Sequence, residues 1–249
     1  MNVMITGGTS GMGLAAARLF LKRGHSVLCV DMNEERGKKV VETLRRETEQ
    51  PVFFCAADVT DGEAVRRVHE YAKKYIGFIH CVINNAGIFT GGMLHETAEK
   101  DWERVFAVDV KSVFLTSKYF VPDMIENGGG TIVNTASVSG MAGDYNMAAY
   151  NAAKGALVNL VRAMALDYGK YNIRVNNVCP AACATPMFLS NPPEVIRQFQ
   201  NANPLRRICT PEEVAEAMYF LATDASRSCN GINLEVTGGL NVHTGQPAQ

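Results

Sequence analysis

Apolar residues gather in short, nearly unbroken runs: Val3–Thr6, Ser26–Asp31, Val52–Ala57, Cys81–Asn84, Thr131–Asn134, Ile173–Val178 and Ile232–Val236. They do not alternate with polar positions, so each reads as a strand covered on both faces. Helical periodicity fills the gaps over Met12–Arg23, Asn33–Glu49, Gly62–Tyr75, Glu99–Glu126 and Ala148–Tyr171, the first stopped by Gly24. Parallel neighbours need a helix-sized crossover between them. The pattern therefore predicts an α/β fold, a doubly wound parallel sheet with helices on both faces. No linker, repeat or low-complexity tract divides the chain, so one catalytic domain over 1–249 is expected.

The rhythm breaks at Asn191-Pro192-Pro193 and resumes after Pro204. A lid over about 186–208 is expected, because a long excursion beyond a strand's C-terminal end is where ligands are covered; an ordinary surface insertion is the alternative. Thr210 is placed as N-cap and Pro211 as first residue of the helix that follows.

Composition narrows the classes. Of 249 residues 47% are hydrophobic, enough for a large core, and 24 Lys+Arg nearly balance 25 Asp+Glu. The basic doublets Lys22-Arg23, Arg45-Arg46, Arg66-Arg67 and Arg206-Arg207 are scattered, so no nucleic-acid surface is expected. Met1–Ile5 runs straight into a Gly-rich turn, with no signal-peptide pattern, and no apolar run approaches the roughly 18–20 residues of a membrane span. The seven cysteines include Cys29, Cys55 and Cys81 inside strand-like runs, which predicts reduced core thiols and a cytoplasmic location. Cys179 and Cys183 lack CxxC spacing, and no metal site is expected.

The first chemical signal is Thr6-Gly7-Gly8-Thr9-Ser10-Gly11-Met12-Gly13, between the first strand and the first helix. Such a turn brings backbone N–H groups and the positive helix end against a pyrophosphate. Asp31 ends the second strand, eighteen residues past Gly13. A carboxylate there accepts the ribose hydroxyls of NAD and repels the extra phosphate of NADP. No Lys or Arg lies within the loop or directly after Asp31, so NAD is expected. Asp58-Val59 at the end of the third strand and Asn84-Asn85-Ala86-Gly87 at the end of the fourth would meet adenine and ribose.

The second signal is Tyr150 and Lys154, four apart on one helix face. A free Tyr titrates near about 10, but an adjacent ammonium and an oxidised nicotinamide favour its phenolate. It can then exchange the proton of an alcohol, while Lys154 also holds the nicotinamide ribose. Ser137, thirteen residues upstream at the end of the fifth strand, is placed to hydrogen-bond the substrate oxygen.

With these residues, Asn177–Thr185 and the closing Thr237-Gly238-Gly239, the chain resembles the single-domain short-chain dehydrogenase/reductases along nearly its whole length. The resemblance implies a seven-stranded Rossmann sheet in the order 3-2-1-4-5-6-7, hydride transfer with a nicotinamide, and a homotetramer or homodimer. It also implies roles for Pro180, Ala181 and Cys183 beside the cofactor, with Thr185 on the nicotinamide carboxamide. Three departures stand out. Asp109 replaces the Asn that in this family shapes a helix for a proton relay to the lysine, and its charge would raise the pKa of Lys154. Ala181 replaces the Gly after Pro180, and Thr237 replaces an Asp.

Gly91–Leu94, Val138–Tyr145 and Pro186–Pro204 are the expected substrate walls, bringing Met93, Met141, Tyr145, Met187, Phe188 and Leu189, with Asp144 and Asn146 nearby. Thioethers and aromatics suit a hydrophobic alcohol such as a hydroxysteroid or bile acid. A 3-oxoacyl thioester reductase, a polyol or sugar dehydrogenase, and a non-catalytic NAD-sensing or scaffolding protein are the alternatives.

Overall fold

The computed structural model describes residues 1–242; of the C-terminal segment 241–249, positions 243–249 lie outside the described residues. Seven parallel strands, β1 (Asn2–Thr6), β2 (Ser26–Asp31), β3 (Val52–Ala56), β4 (Cys81–Asn84), β5 (Gly130–Thr135), β6 (Ile173–Pro180) and β7 (Asn233–Val236), form one sheet ordered β3-β2-β1-β4-β5-β6-β7. Their unbroken apolar runs split by alternation. Val3 and Ile5 pack into one core with Phe20, Leu44 and Met218, and Met4 into the other with Phe120 and Leu157. Both faces are thereby covered, which is why no polar face shows in the strands.

The covering helices are α1 (Gly11–Lys22), α2 (Glu34–Thr48), α3 (Gly62–Tyr75), α4 (Glu99–Phe106), α5 (Ser112–Glu126), α6 (Ala148–Tyr168), α7 (Pro186–Leu189), α8 (Pro193–Ala202) and α9 (Pro211–Ala222). Capping sets several starts. Asn33 Oδ1 accepts the Arg36 N–H ahead of α2, and Thr210 with Glu213 forms a reciprocal capping box on α9. The expected lid region holds α7 and α8.

Four expectations need correction. The helix expected over Glu99–Glu126 is interrupted by a π-helical turn at Ala107–Lys111. The one expected to Tyr171 ends at Tyr168 and finishes as a 3-10 turn. Ser137 and Asp58 lie two residues beyond their strands, on the loops of the sheet's C-terminal edge. Cys55, on edge strand β3, is only half-buried, because no strand covers that side.

The sheet carries one polar seam. Asn84, Asn134, Asn177 and Asn233 stand in register on β4 to β7. Each amide donates to the next, at 2.9, 3.0 and 2.7 Å. Thr116 of α5 donates to one end of the seam, and Asn177 also donates to Leu157 O of α6. The seam ties the sheet to the two helices that flank the site and leaves these buried amides partnered.

Candidate active site

A cleft of about 740 Å³ runs along the C-terminal edge of the sheet. Gly7, Ser10, Gly11 and Met12 line it from the first loop, Asp31 from β2, and Asp58 and Val59 from the loop after β3. Asn85, Ala86 and Gly87 follow β4, and Pro180, Ala181 and Thr185 follow β6. Asp109, Ser137, Tyr150 and Lys154 complete it, so the two chemical signals of the sequence share one cavity. Of the expected lid, Pro186 and Met187 reach the cleft.

Three expected residues do not line it. Thr9 is 1% exposed and donates its hydroxyl to Asp31 Oδ2, holding the carboxylate from behind. Gly13 is a packing position, since a Cβ there would overlap the carbonyl oxygen of Gly7. Cys183 is bridged to Cys209 through Ala184 N–H to Cys209 O (2.9 Å) and Cys209 N–H to Ala182 O (3.0 Å), and is buried in the core.

The nucleotide end is built by backbone. Gly7 turns with φ +62°, unfavourable for a side chain, and sends the chain into α1, whose N-terminus faces the cleft. Thr6 Oγ1 accepts the N–H groups of Asn85 and Ala86 at 3.0 Å each, locking this loop to the one after β4. One residue escaped the sequence reading. Arg36, on the first turn of α2, lines the cleft and reaches Asp31 Oδ1 at 2.9 Å.

The chemical end is built around a buried cation. Lys154, 3% exposed, donates to Thr135 O at 2.8 Å, and its Nζ lies 3.2 Å from Asp109 Oδ2 and 5.5 Å from the Tyr150 ring centroid. Burial alone would push this ammonium down. The Asp109 carboxylate, with Tyr150 beside it, outweighs burial and holds it above its ordinary value. Asp109 is 1% exposed at the π-helical turn, and its Oδ1 accepts the N–H of Ile88 at 2.8 Å. The charge thus has the effect on Lys154 that the sequence predicted.

Ser137 caps the turn Val138–Gly140, its Oγ accepting from Ser139 N–H at 3.1 Å. Two further residues press this turn onto α6. A Cβ at Gly140 would lie 2.5 Å from the backbone C and O of Lys154, so only glycine allows the approach. Asn151 donates to Ser139 O and Ala142 O, at 2.7 and 3.0 Å. Gly92 N–H bonds Asn146 O at 2.7 Å, tying the expected wall Gly91–Leu94 to the residue just past the wall Val138–Tyr145, and Phe89 meets Tyr150 edge-on at 5.6 Å.

These residues fit a nicotinamide dinucleotide. A nearly buried carboxylate and a glycine-turned helix N-terminus stand at one end, and a Tyr–Lys pair at the other. Comparison with known proteins agrees. The family model described as Enoyl-(Acyl carrier protein) reductase matches residues 7–241. Meso-2,3-butanediol dehydrogenase of Serratia marcescens is 42% identical over 98% of this chain and 96% of its own length. A solved 7α-hydroxysteroid dehydrogenase complexed with NADH and 7-oxo glycochenodeoxycholic acid superposes with a TM-score of 0.92 at 31% identity, covering 96% of this chain and 93% of its own. L-sorbose reductase from Gluconobacter frateurii, complexed with NADPH and L-sorbose, superposes with a TM-score of 0.92 at 27% identity and 97% coverage of both chains. The chain belongs to the short-chain dehydrogenase/reductase family and is an oxidoreductase acting on CH–OH groups with a nicotinamide dinucleotide.

Proposed function

We propose that the protein interconverts a secondary alcohol and a ketone with NAD(H), using Tyr150 as acid and base. The observation that carries this reading is the buried Lys154, held by Thr135 O and Asp109 beside Tyr150 in the cleft that also contains Asp31. When bound, the nicotinamide supplies the acceptor or donor of hydride at the carbinol carbon. Tyr150 takes the alcohol proton during oxidation and returns it during reduction. Ser137 Oγ hydrogen-bonds the substrate oxygen as its charge changes. The Lys154 ammonium stabilises negative charge on Tyr150 and holds the nicotinamide ribose. Asp109 keeps Lys154 in place from the π-helical turn. Thr185, with Pro180 and Ala181, shapes the nicotinamide end; Asp31 accepts the adenosine ribose, and Asp58 and Val59 meet the adenine.

The substrate we propose is a hydrophobic alcohol such as a hydroxysteroid or bile acid. Phe89, Met93, Met141, Met187 and Leu189, all from or beside the expected walls, are 40–56% exposed, an apolar set suited to a broad ligand. A short vicinal diol is the second reading, favoured by the 42% identity to butanediol dehydrogenase. Phe114 of α5 and Leu166 of α6 are 56% and 83% exposed, which supports a homotetramer, or a homodimer, covering them. Seven free thiols support a reducing, cytoplasmic setting.

Reduction of NAD or NADP, followed by absorbance, over hydroxysteroids, bile acids, diols, polyols and 3-hydroxyacyl thioesters tests the reading. Tyr150→Phe abolishes turnover and leaves NADH binding within about threefold, because it removes the transferable proton alone. A variant that keeps most of its activity refutes the proposed chemistry.

A further inference from the structure

The Asp31 carboxylate, 6% exposed as a side chain, is already crowded with donors. Thr9 donates to Oδ2, the Asn33 N–H to Oδ1 at 3.1 Å, and Arg36 Nη2 to the same oxygen at 2.9 Å. Arg36 Nε also donates to Thr9 Oγ1 at 3.1 Å, so one guanidinium spans both residues. This differs from the neighbouring pairs Lys38–Glu34 and Lys39–Glu35, whose partners are all 61–81% exposed. Arg36 and Asp31 both line the nucleotide cleft.

A carboxylate offers about four lone-pair sites, and three are taken here. The adenosine ribose presents two hydroxyls to it, so one resident donor has to yield. Asn33 donates from backbone fixed at the start of α2, and Thr9 is 1% exposed. Arg36 is 44% exposed on a long side chain and is the donor free to swing away. A 2′-phosphate reverses the balance. Asp31 repels it, while the guanidinium alongside presents a planar donor fork suited to phosphate oxygens.

Building on the NAD(H) reading, we propose that Arg36 is a cofactor-selectivity residue. It competes with the ribose hydroxyls for Asp31 and supplies the partner for a 2′-phosphate, giving the protein a mixed specificity that leans toward NAD. The Gly-rich loop alone would favour neither cofactor, and Asp31 alone would exclude NADP. Arg36 narrows the difference from both sides.

Calorimetric titration of the full-length protein with ADP and with adenosine 2′,5′-bisphosphate tests this without turnover. The wild type binds ADP more tightly, by about tenfold or less. Arg36→Leu leaves ADP unchanged or up to about threefold tighter and weakens the bisphosphate at least about tenfold. Asp31→Ser inverts the preference, and Asp31→Ser/Arg36→Leu does not. Equal effects of Arg36→Leu on both ligands, or the same preference in the single and double Asp31 variants, overturn the proposal. A wild type that prefers the bisphosphate defeats the NAD reading instead, and the Arg36→Leu ratio still decides the role of Arg36. NADH and NADPH fluorescence titrations repeat the comparison with intact cofactors.

Discussion

Asp109→Asn isolates one charge in the buried centre of the site. Its carboxylate lies 3.2 Å from Lys154 Nζ, which lies 5.5 Å from the Tyr150 ring centroid, so carboxylate and ring are no more than about 9 Å apart. At an effective dielectric of about 20, two like charges at that distance repel by about 2 kcal/mol. Asn is nearly isosteric and can still accept from Ile88 N–H, so the π-helical turn survives. The acidic limb of kcat/KM for alcohol oxidation therefore moves toward lower pH, with the plateau within about tenfold of wild type. Stability responds separately. Lys154 is held above its unfolded value of 10.5, so the ion pair's contribution is whole below that pH and is lost as pH rises further. Removing Asp109 leaves a buried cation with one fewer partner, at a cost of about 3 kcal/mol at neutral pH that shrinks in strong alkali. The assays are initial rates with saturating cofactor between pH 6 and about 10, and urea unfolding at neutral and alkaline pH. An unmoved limb removes Asp109 from the proton chemistry and leaves it a structural anchor.

Three further outcomes follow from packing. Gly140→Ala places a Cβ 2.5 Å from the Lys154 backbone, forcing the Ser137 turn off α6; kcat/KM falls at least about 100-fold while NADH still binds, and wild-type kinetics would disprove the contact. Asn177→Leu cuts the amide seam and strands polar groups of Asn134 and Asn233, costing about 2–3 kcal/mol in urea unfolding. Glu213→Gln weakens the α9 capping box and the Arg207 pair for about 1 kcal/mol. Arg207, then the Thr210 backbone, holds the Glu213 carboxyl at about 2 against 4.5 unfolded, so its contribution is present above about 4.5 and lost as pH falls toward 2. Melts at pH 6 and about 3 therefore show the gap between wild type and variant narrowing in acid.

What the sequence disclosed was local or periodic. The parallel sheet followed from apolar runs and helix-length crossovers, its strand order only from the family resemblance, and Tyr150 and Lys154 share a face because four residues make about one turn. What stayed hidden depends on contacts between distant segments. Ala107–Lys111 holds neither Gly nor Pro, so nothing local announces its π-helical turn. Its Asp109 is instead gripped by Ile88 N–H and Lys154 from two other elements. Arg36 lies five residues past Asp31, beyond a search of the positions directly after it, and reaches back only because Asn33 starts α2 at that point. Gly140 looks like any glycine in a loop until the backbone of α6 is laid against it. Cys183 sits inside a cofactor segment in sequence, yet the parallel bridge to Cys209 places it in the core.

The hidden residues share a physical role. Tyr150, Lys154, Ser137 and Asp31 are types chosen for chemistry, and their spacing survives in one dimension. Gly140, Asn151 and Arg36 set the distances and charge balance around them in three dimensions only, and Asp109, singled out in the sequence, joins them through contacts the sequence does not show. A family motif can therefore be complete while cofactor preference and working pH remain set elsewhere. Asp109→Asn and Arg36→Leu address those two properties, and both leave Ser137, Tyr150 and Lys154 untouched. If pH profile and cofactor ratio move independently in the two variants, the chemical and selectivity ends of the cleft are tuned by separate charges. If either variant moves both, the loops from Thr6 to Gly87 couple them, through the bonds of Thr6 Oγ1 to Asn85 and Ala86.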